Sequence, residues 1–338
     1  MSPREYDEDD VRVRPGRHGS RPRTKERPRH EDAATGFVIA VDRGRYTCLV
    51  DGTPMTAMRA RELGRRSVVV GDRVGLVGDR TGEPGSLARI VRVEPRTTVL
   101  RRTADDTDPY ERVVVANADQ LVVVASLVDP PPRTGLIDRC LVAAYVGGLD
   151  PLLCLTKADL CGPTGTPGPQ LAAELLRGYA DLGLAAVTTR RDADPAELRA
   201  ALSGRTSVLV GHSGVGKSTL VNRLVPDARR SVGEVSAIGK GRHISTSAVA
   251  LALPDGGWVT DTPGVRSFGL AHVTPADLLA AFPDLAPGVA DCPPGCEHLP
   301  APGGWPCGLD GWVAAGHTAP GRLASYRRLL VSRGTDDR

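Results

Sequence analysis

The stretch "GHSGVGKS" at residues 211–218 constrains the fold more than any other feature of the chain. It fits the pattern G-x-x-x-x-G-K-[ST], and it stands between the apolar run "SVLV" and the helix-forming run "STLVNRLV". In a strand, glycine-rich loop and helix of this kind, backbone N–H groups and the helix N-terminus surround phosphate oxygens. We therefore predict an α/β domain with a phosphate-binding loop.

Each residue type in this loop has a chemical use. Gly211, Gly214 and Gly216 let successive N–H groups turn toward phosphate, and Lys217 would contact the β- and γ-phosphates. Ser218 would offer its hydroxyl to Mg²⁺, which prefers oxygen ligands. The predicted nucleotide-binding residues of the loop are Gly211, His212, Ser213, Gly214, Val215, Gly216, Lys217, Ser218 and Thr219.

About forty residues later, the run "WVTDTPGVRSFG" predicts a strand that ends in a D-x-P-G turn at residues 261–264. Asp261 would hold the Mg²⁺ shell, and the Gly264 N–H would contact the γ-phosphate. At this distance after a phosphate-binding loop, the turn indicates a GTPase of the switch type.

The run "TKAD" at residues 156–159 follows the apolar run "PLLCL" and predicts a base-reading loop. The Asp159 carboxylate can accept both the N1–H and the N2–H₂ of guanine, two donors that adenine does not present. Lys157 would lie along the base, and Thr156 stands where asparagine is more usual. Together with the phosphate-binding loop and the switch turn, this run favours GTP over ATP.

The base reader precedes the phosphate-binding loop, whereas in ordinary GTP-binding proteins it follows. This order indicates a circular permutation, which leaves the sheet intact because domain termini usually lie close together at the surface. The alternation of apolar strands and helices over 106–275 fits such a permuted GTPase domain. The switch turn would then lead directly into the C-terminal region.

The first third of the chain is basic and has a different pattern. Residues 12–30 carry eight Arg or Lys and one Glu, and residues 43–102 carry thirteen Arg and six Asp or Glu, although the whole chain has a net charge of only +3. Short β-type runs over 35–105 predict a small barrel, with an OB-fold as the leading candidate. We expect this barrel to bind nucleic acid, with a solvated surface as the alternative, and residues 1–34 to form a disordered basic arm.

The segment "CPPGCEHLPAPGGWPC" places three of the seven cysteines beside a histidine. Three thiolates and one imidazole can satisfy tetrahedral zinc with no open position, which is typical of a structural site. Free thiols are the alternative, and His317 is a spare candidate ligand. The predicted zinc ligands of a small, helical C-terminal domain at 276–338 are Cys292, Cys296, His298 and Cys307.

Several motifs in this order resemble the bacterial small-ribosomal-subunit-dependent GTPases, the RsgA/YjeQ family. They are "ANADQLVVVAS", "TKADL", "GHSGVGKSTL", "GKGRHISTS", "DTPGVRSFGL" and the Cys/His tail, and the similarity covers about residues 36–330. The resemblance implies a GTPase that binds the 30S subunit and its 16S rRNA late in assembly, is stimulated by the subunit, and leaves after hydrolysis. The tail departs from the family spacing C-x₄-C-x-H-x₅-C, since its first gap is one residue shorter and its last is three longer.

The residue that orients the attacking water is an open question. Many switch GTPases carry glutamine after D-x-x-G, but Val265 stands here. The resemblance assigns that role to His243, in "GRHISTS", with contact to RNA or solvent as the alternative. Either Ser245 or Thr246 would complete the Mg²⁺ shell, and we favour Thr246.

The chain as a whole is therefore expected to be multidomain: an OB-fold barrel, a circularly permuted α/β P-loop GTPase domain and a zinc-binding C-terminal domain. We expect a cytoplasmic protein, because the charged N-terminus lacks a signal sequence and no apolar run is long enough for a membrane span. We also expect a monomer that uses Mg²⁺ and one Zn²⁺. Two rivals remain, namely a GTPase that acts on another RNA and a nucleotide-gated RNA-binding scaffold whose hydrolysis is incidental.

Overall fold

A computed structural model describes residues 30–63, 68–83, 85–103, 110–160, 168–226, 248–262, 269–300 and 307–332. Most of the expected basic arm, residues 1–29, lies outside these ranges, and so do His243, Thr246, Gly264 and Val265. Among the described residues, no helix is both long and apolar enough to cross a membrane.

The N-terminal strands form a five-stranded barrel. Neighbouring strands follow the order β1-β2-β3-β5-β4, and β1 also pairs with β4, which closes the sheet on itself. The β3–β5 pairing is parallel and the others are antiparallel. This topology confirms the OB-fold prediction. The strands are β1 (Ala34–Asp42), β2 (Arg45–Val50), β3 (Thr53–Arg59), β4 (Arg73–Gly78) and β5 (Ala88–Val93).

Alternation of side chains along these strands builds the barrel interior. Cys48, Met55, Val74 and Ile90 point inward and are at most 2% exposed, as expected where residues i and i+2 share a face. Asp72 is fully buried at the start of β4, and Arg96 binds both of its carboxylate oxygens, at 2.7 and 2.9 Å.

A two-stranded sheet connects the barrel to the α/β domain. It consists of β6 (Val99–Arg102) and β7 (Arg112–Ala116), which are antiparallel. β7 has the sequence "RVVVA", and it pairs with β6 and not with the α/β sheet. β7 also contacts the segment before β4, where the Ala116 N–H donates to the Val70 carbonyl oxygen at 3.0 Å.

The α/β domain contains a six-stranded sheet in the order β10-β9-β8-β11-β13-β12. The first five strands are parallel and β12 is antiparallel to β13. Strands and helices alternate along the chain as predicted. They are β8 (Gln120–Ser126), α1 (Thr134–Gly147), β9 (Asp150–Thr156), α2 (Gly168–Arg177), β10 (Ala185–Thr188), α3 (Ala196–Leu202), β11 (Thr206–Val210), α4 (Lys217–Leu224), β12 (Val249–Ala252) and β13 (Trp258–Asp261).

This strand order contains a switch point. The three strands that come first in the chain lie together on one side of β11, and β13 and β12 lie on its other side. The strand order therefore reverses between β8 and β11. In open α/β sheets, ligands bind at such a switch point, outside the carboxyl ends of the strands.

The two faces of the sheet bury different sets of helices. Leu121 and Val123 of β8 pack in the core that contains α1, whereas Val122 and Val124 pack in the core that contains α3 and α4. This alternation follows from the period of two along a strand.

The C-terminal region shares the α1 core. Three helices follow the sheet: α5 (Pro275–Ala280), α6 (Gly308–Ala314) and α7 (Pro320–Ser332). Phe282, Leu309, Tyr326 and Leu329 belong to the same apolar cluster as Leu141 of α1. Arg139 of α1 also donates a hydrogen bond to the Ser332 carbonyl oxygen at the end of α7, so the region packs against the α/β domain.

The barrel and the α/β sheet are continuous through a single strand pairing. β12 pairs with β1 at Val249 and Ala40, which joins both sheets into one of eleven strands. The rings of Phe37 and Trp258 meet beside this pairing, with centroids 5.3 Å apart. Since β13 carries both Trp258 and Asp261, the joint lies only a few residues from the candidate metal ligand.

Candidate nucleotide site and metal centre

The loop that joins β11 to α4 requires glycine at two positions. Gly211 has φ +153°, and a Cβ there would lie 2.2 Å from the carbonyl oxygen of Val124. Gly216 has φ +100° and ends the loop at the N-terminus of α4. A side chain at Gly211 would push the loop away from β8, because no residue can occupy a 2.2 Å contact with a backbone atom.

Lys217 is held over the loop by the loop's own backbone. Its Nζ donates to the carbonyl oxygens of Gly211, at 2.6 Å, and His212, at 3.0 Å. Burial lowers the pKa of this ammonium, and the nearby Asp261 carboxylate raises it in opposition. A partly desolvated cation at this place interacts more strongly with an incoming phosphate than a solvated one would.

Asp261 lies at the end of β13, close enough to Lys217 for the two charges to interact. Burial raises the pKa of the carboxyl, and Lys217 partly offsets that rise. Its Oδ1 atom is buried without a hydrogen-bond partner among the described residues. A buried carboxylate oxygen without a donor suits a hard cation or its bound water, so the residue present here fits Mg²⁺. Ser218 is exposed in the first turn of α4.

Thr156 connects the base-reading loop to the phosphate-binding loop. Its hydroxyl donates to the carbonyl oxygen of Val215 at 2.6 Å, and the residue is 4% exposed. The neighbouring Lys157 has φ +61° and donates from Nζ to the Asp129 carbonyl oxygen. Threonine in the usual asparagine position therefore still links the two loops.

Asp159 is positioned by a loop that the sequence analysis did not single out. Its Oδ1 accepts a hydrogen bond from the Arg191 backbone N–H at 2.9 Å. In the same loop after β10, the Thr189 carbonyl accepts from the Ala158 N–H at 3.4 Å. The carboxyl ends of parallel strands meet at one edge of a sheet. Because residues 189–191 follow the parallel strand β10, this rule predicts that they lie near the base-reading loop.

The structure brings most of the predicted nucleotide residues to one edge of the sheet. Thr156 ends β9, and Lys157 and Asp159 follow it. The loop 211–216 and the start of α4 follow β11, and Asp261 ends β13. Within the loop, the His212 Nδ1 lies 2.8 Å from the Ser213 carbonyl oxygen, and Ser213, Gly214 and Thr219 are exposed. Gly264, His243 and Thr246 lie outside the described residues.

A second cluster gathers the Cys/His residues of the tail. One ligand atom from each of Cys292, Cys296, His298 and Cys307 lies within 4.8 Å of the others. The Cys292 and Cys307 sulfurs are 3.8 Å apart, and these atoms lie 3.5 and 3.7 Å from the His298 Nδ1. Tetrahedral zinc requires about 3.8 Å between two sulfurs and about 3.5 Å between sulfur and nitrogen, given its ordinary bond lengths. The donor set and its spacing therefore fit zinc.

The elements around this cluster explain how distant residues converge. Cys307 is the residue immediately before α6, and Arg327 of α7 donates to the His298 carbonyl oxygen at 2.8 Å. Arg327 also binds both carboxylate oxygens of Asp310, at 2.8 and 2.9 Å. Burial lowers the pKa of His298, which favours the neutral imidazole that binds metals.

His317, the spare candidate ligand, does not join the cluster. Its ring stacks on Trp312 with centroids 3.8 Å apart, and the cluster consists of the other four residues. The Trp312 indole in turn donates to the Asp284 carbonyl oxygen at 2.9 Å. This histidine therefore has a packing partner of its own.

Comparison with known proteins agrees with this geometry. Residues 93–271 match the family model described as RsgA GTPase. A protein of Azotobacter vinelandii named small ribosomal subunit biogenesis GTPase RsgA is 40% identical over 270 residues, which are 79% of this chain and 75% of that protein. A Pseudomonas aeruginosa protein of the same name is 39% identical over 270 residues, covering 79% and 76%.

Two solved structures share the fold over most of the chain. The crystal structure of YjeQ from Thermotoga maritima has a TM-score of 0.64 and 27% identity, covering 89% of this chain and 98% of that one. The crystal structure of YloQ, described as a circularly permuted GTPase, has a TM-score of 0.61 and 23% identity, covering 91% and 97%. At that identity, the second likeness supports the fold alone.

Proposed function

This chain belongs to the RsgA GTPase family, and from that premise we propose that it hydrolyses GTP to GDP and phosphate on the small ribosomal subunit and assists the late maturation of that subunit. The relatives that carry the name act, by that name, in small-subunit biogenesis. One observation carries the proposal for this chain: the base reader, the phosphate-binding loop and Asp261 converge at one edge of a permuted sheet.

The chain's own residues account for binding and orientation of the nucleotide. The N–H groups of 211–218 surround the phosphates, and Lys217 exchanges its two carbonyl partners for phosphate oxygens. Asp159 accepts the two guanine donors, while Arg191 keeps its carboxylate in place. These contacts position the γ-phosphate and exclude solvent from one of its sides.

Ser218 and Asp261 would hold Mg²⁺, with Thr246 or Ser245 as a further oxygen ligand. When bound, the ion neutralises charge that develops on the phosphate oxygens. The buried Oδ1 of Asp261 supports this assignment, because a partnerless carboxylate oxygen is costly unless a cation or its water meets it.

Hydrolysis requires a group that orients water, and Val265 offers none. We assign this role to His243, whose imidazole can accept a hydrogen bond from water, and to contacts that the small subunit contributes. The Gly264 N–H would contact the γ-phosphate. Slow turnover in isolation and stimulation by the subunit follow from a site that its partner completes.

The cluster of Cys292, Cys296, His298 and Cys307 would bind one structural Zn²⁺. A closed set of three thiolates and one imidazole leaves no position for a substrate. The ion would fix the segment between α5 and α6, which is rich in Pro and Gly.

The remaining assignments concern the whole protein. We propose a cytoplasmic monomer with a basic arm at 1–34, an RNA-binding barrel at 35–105, a GTPase domain at 106–275 and a zinc-binding domain at 276–338. The excess of arginine in the barrel supports contact with 16S rRNA. The shared core of α1 and α7 supports a zinc-binding domain that moves with the GTPase domain.

Sedimentation with 30S subunits tests the proposal. With a non-hydrolysable GTP analogue the protein should remain bound to the subunit, and with GDP it should dissociate. A nucleotide-gated RNA-binding scaffold whose hydrolysis is incidental would behave differently. In that case Lys217→Ala would abolish nucleotide-gated release, whereas a hydrolysis-dead His243→Ala variant would still support assembly. Equal binding in both nucleotide states would contradict the proposal.

A further inference from the structure

A row of exposed side chains crosses the outer face of the barrel. Met58 on β3 is opposite Arg45 on β2 and opposite Arg89 on β5, and Arg89 is opposite Val77 on β4. The neighbours of these residues along the strands, Tyr46, Ala57 and Ala88, point into the barrel. Arg45, Met58 and Arg89 therefore share the outer surface.

The two arginines of this row have no partner among the residues that the structure describes. Neither guanidinium forms a hydrogen bond or an ion pair with any residue that the structure describes. Asp42 lies opposite Arg45 in the β1–β2 register, yet no ion pair joins them. Two other arginines in or next to the barrel do have partners, since Arg92 binds Glu94 and Arg96 binds Asp72.

Two exposed apolar side chains lie between and beside these charges. Met58 is 45% exposed, and Leu87, two residues before Arg89, is 41% exposed. Strands lie about 4.8 Å apart, so the backbones at Arg45 and Arg89 are about 10 Å apart with Met58 between them. Methionine is flexible and polarizable, which suits it to an adaptable contact surface.

The side chains of this row suit a polyanion that also presents flat apolar groups. Two unpaired guanidinium groups can bind phosphates or stack on bases. An exposed methionine between them can support a base or ribose that is not already stacked in a helix. Duplex RNA offers its phosphates but keeps its bases stacked, and proteins read sequence mostly in unpaired RNA.

We propose that Arg45, Met58 and Arg89 form a binding surface for unpaired RNA, in which the arginines contact phosphates of one strand and Met58 supports an unstacked nucleotide between them. The inference rests on the proposed function, because it specifies which face of the barrel meets RNA and in what form. Strands 2 and 3 of OB-folds commonly face oligonucleotides, which agrees with this position.

The experiment measures binding of the full chain to a fluorescent single-stranded RNA 12-mer and to the same sequence annealed as a duplex, over a series of salt concentrations. Arg45→Gln and Arg89→Gln should each weaken single-strand binding about tenfold. Each should also reduce the slope of log affinity against log salt by about 0.7, and the double variant by about 1.4. Met58→Ala should weaken single-strand binding without changing the slope, and it should leave duplex binding as it was.

Arg73→Gln is the matched control. Arg73 is also exposed and lacks a partner among the described side chains, but it lies at the far end of β4, about 13 Å along the strand from Val77. Unchanged binding by this variant is expected. Unchanged binding by the Arg45 and Arg89 variants, or an equal effect of Met58→Ala on duplex RNA, would overturn the inference.

The same preparations are assayed for GTP hydrolysis with and without 30S subunits. If the subunit stimulates the wild-type protein but the row variants bind RNA normally, the inference fails and the proposed function stands. If the variants behave as expected but no stimulation occurs, the RNA surface stands and the ribosomal assignment fails. Unchanged hydrolysis without subunits shows that the variants are folded.

Discussion

At the scale of single residues, we expect Asp159 to decide which base the site accepts. Asp159→Asn replaces one acceptor oxygen with a donor NH₂, which faces the guanine N1–H or N2–H₂ without a partner. We expect GTP affinity to fall at least 100-fold and xanthosine triphosphate, which carries an oxygen at that edge, to bind better than GTP. Titration of both nucleotides measures the change.

Asp192→Asn is the control for this substitution. Asp192 lies in the neighbouring loop, is exposed and pairs with Arg190 at 2.8 Å. Its variant should keep the wild-type preference for guanine. Equal preference for GTP in the Asp159 and Asp192 variants would remove the role given to Asp159.

Thr156 links the base-reading loop to the phosphate-binding loop through its hydroxyl. Thr156→Val retains the shape of the side chain but leaves the Val215 carbonyl oxygen without its 2.6 Å hydrogen bond. We expect a loss of about 1–3 kcal/mol in the free energy of unfolding, together with weaker GDP binding, because the phosphate-binding loop loses its anchor. Denaturant unfolding and GDP titration measure both effects.

Thr188→Val provides the comparison, since Thr188 is an exposed threonine on β10. Unlike Thr156→Val, the Thr156→Asn variant should bind GDP as the wild-type protein does. Equal free energies of unfolding for Thr156→Val and Thr188→Val would show that the hydrogen bond between the two loops does not stabilise the protein.

At the scale of elements, the proposed zinc site of Cys292, Cys296, His298 and Cys307 would hold together residues on both sides of the start of α6. Purified protein should contain about one zinc ion per chain, measured by mass spectrometry. Cys307→Ser should remove the ion and lower the melting temperature, because α6 begins directly after Cys307. His317→Ala should retain zinc, since His317 stacks on Trp312. Full zinc content in the Cys307 variant would exclude this ligand set.

The elements also show how far sequence reasoning reaches. The strand, loop and helix around Gly211–Ser218 were predictable because glycine spacing and apolar runs act locally. The convergence of Cys292 and Cys307 was predictable from ligand chemistry alone. The contact between Asp159 and Arg191 was not, because it joins loops after two different strands and depends on the order of strands in the sheet.

At the scale of the whole molecule, the β1–β12 pairing joins the barrel to the nucleotide domain. Phe37→Ala removes the ring that meets Trp258 at 5.3 Å. We expect the free energy of unfolding to fall by about 1–3 kcal/mol. Stimulation of GTP hydrolysis by 30S should also weaken while hydrolysis without subunits is retained, because the joint connects the two domains and does not touch nucleotide.

Phe37→Leu keeps an apolar side chain at the joint and should preserve stimulation. Loss of stimulation in both variants, or in neither, would show that the ring contact does not couple the barrel to the nucleotide site. The pairing itself could not be predicted from sequence, because β1 and β12 lie about two hundred residues apart and each pairs first with its neighbour.

The most direct test of the central claim is the rate of GTP and ATP hydrolysis by the purified protein, with and without 30S subunits, at fixed Mg²⁺ and salt. A site that reads guanine through Asp159 and lacks a glutamine after its switch turn should hydrolyse GTP slowly, ignore ATP and accelerate strongly when the subunit is added. Equal use of ATP would contradict the role of Asp159, and GTP hydrolysis that the subunit does not accelerate would contradict the ribosomal function.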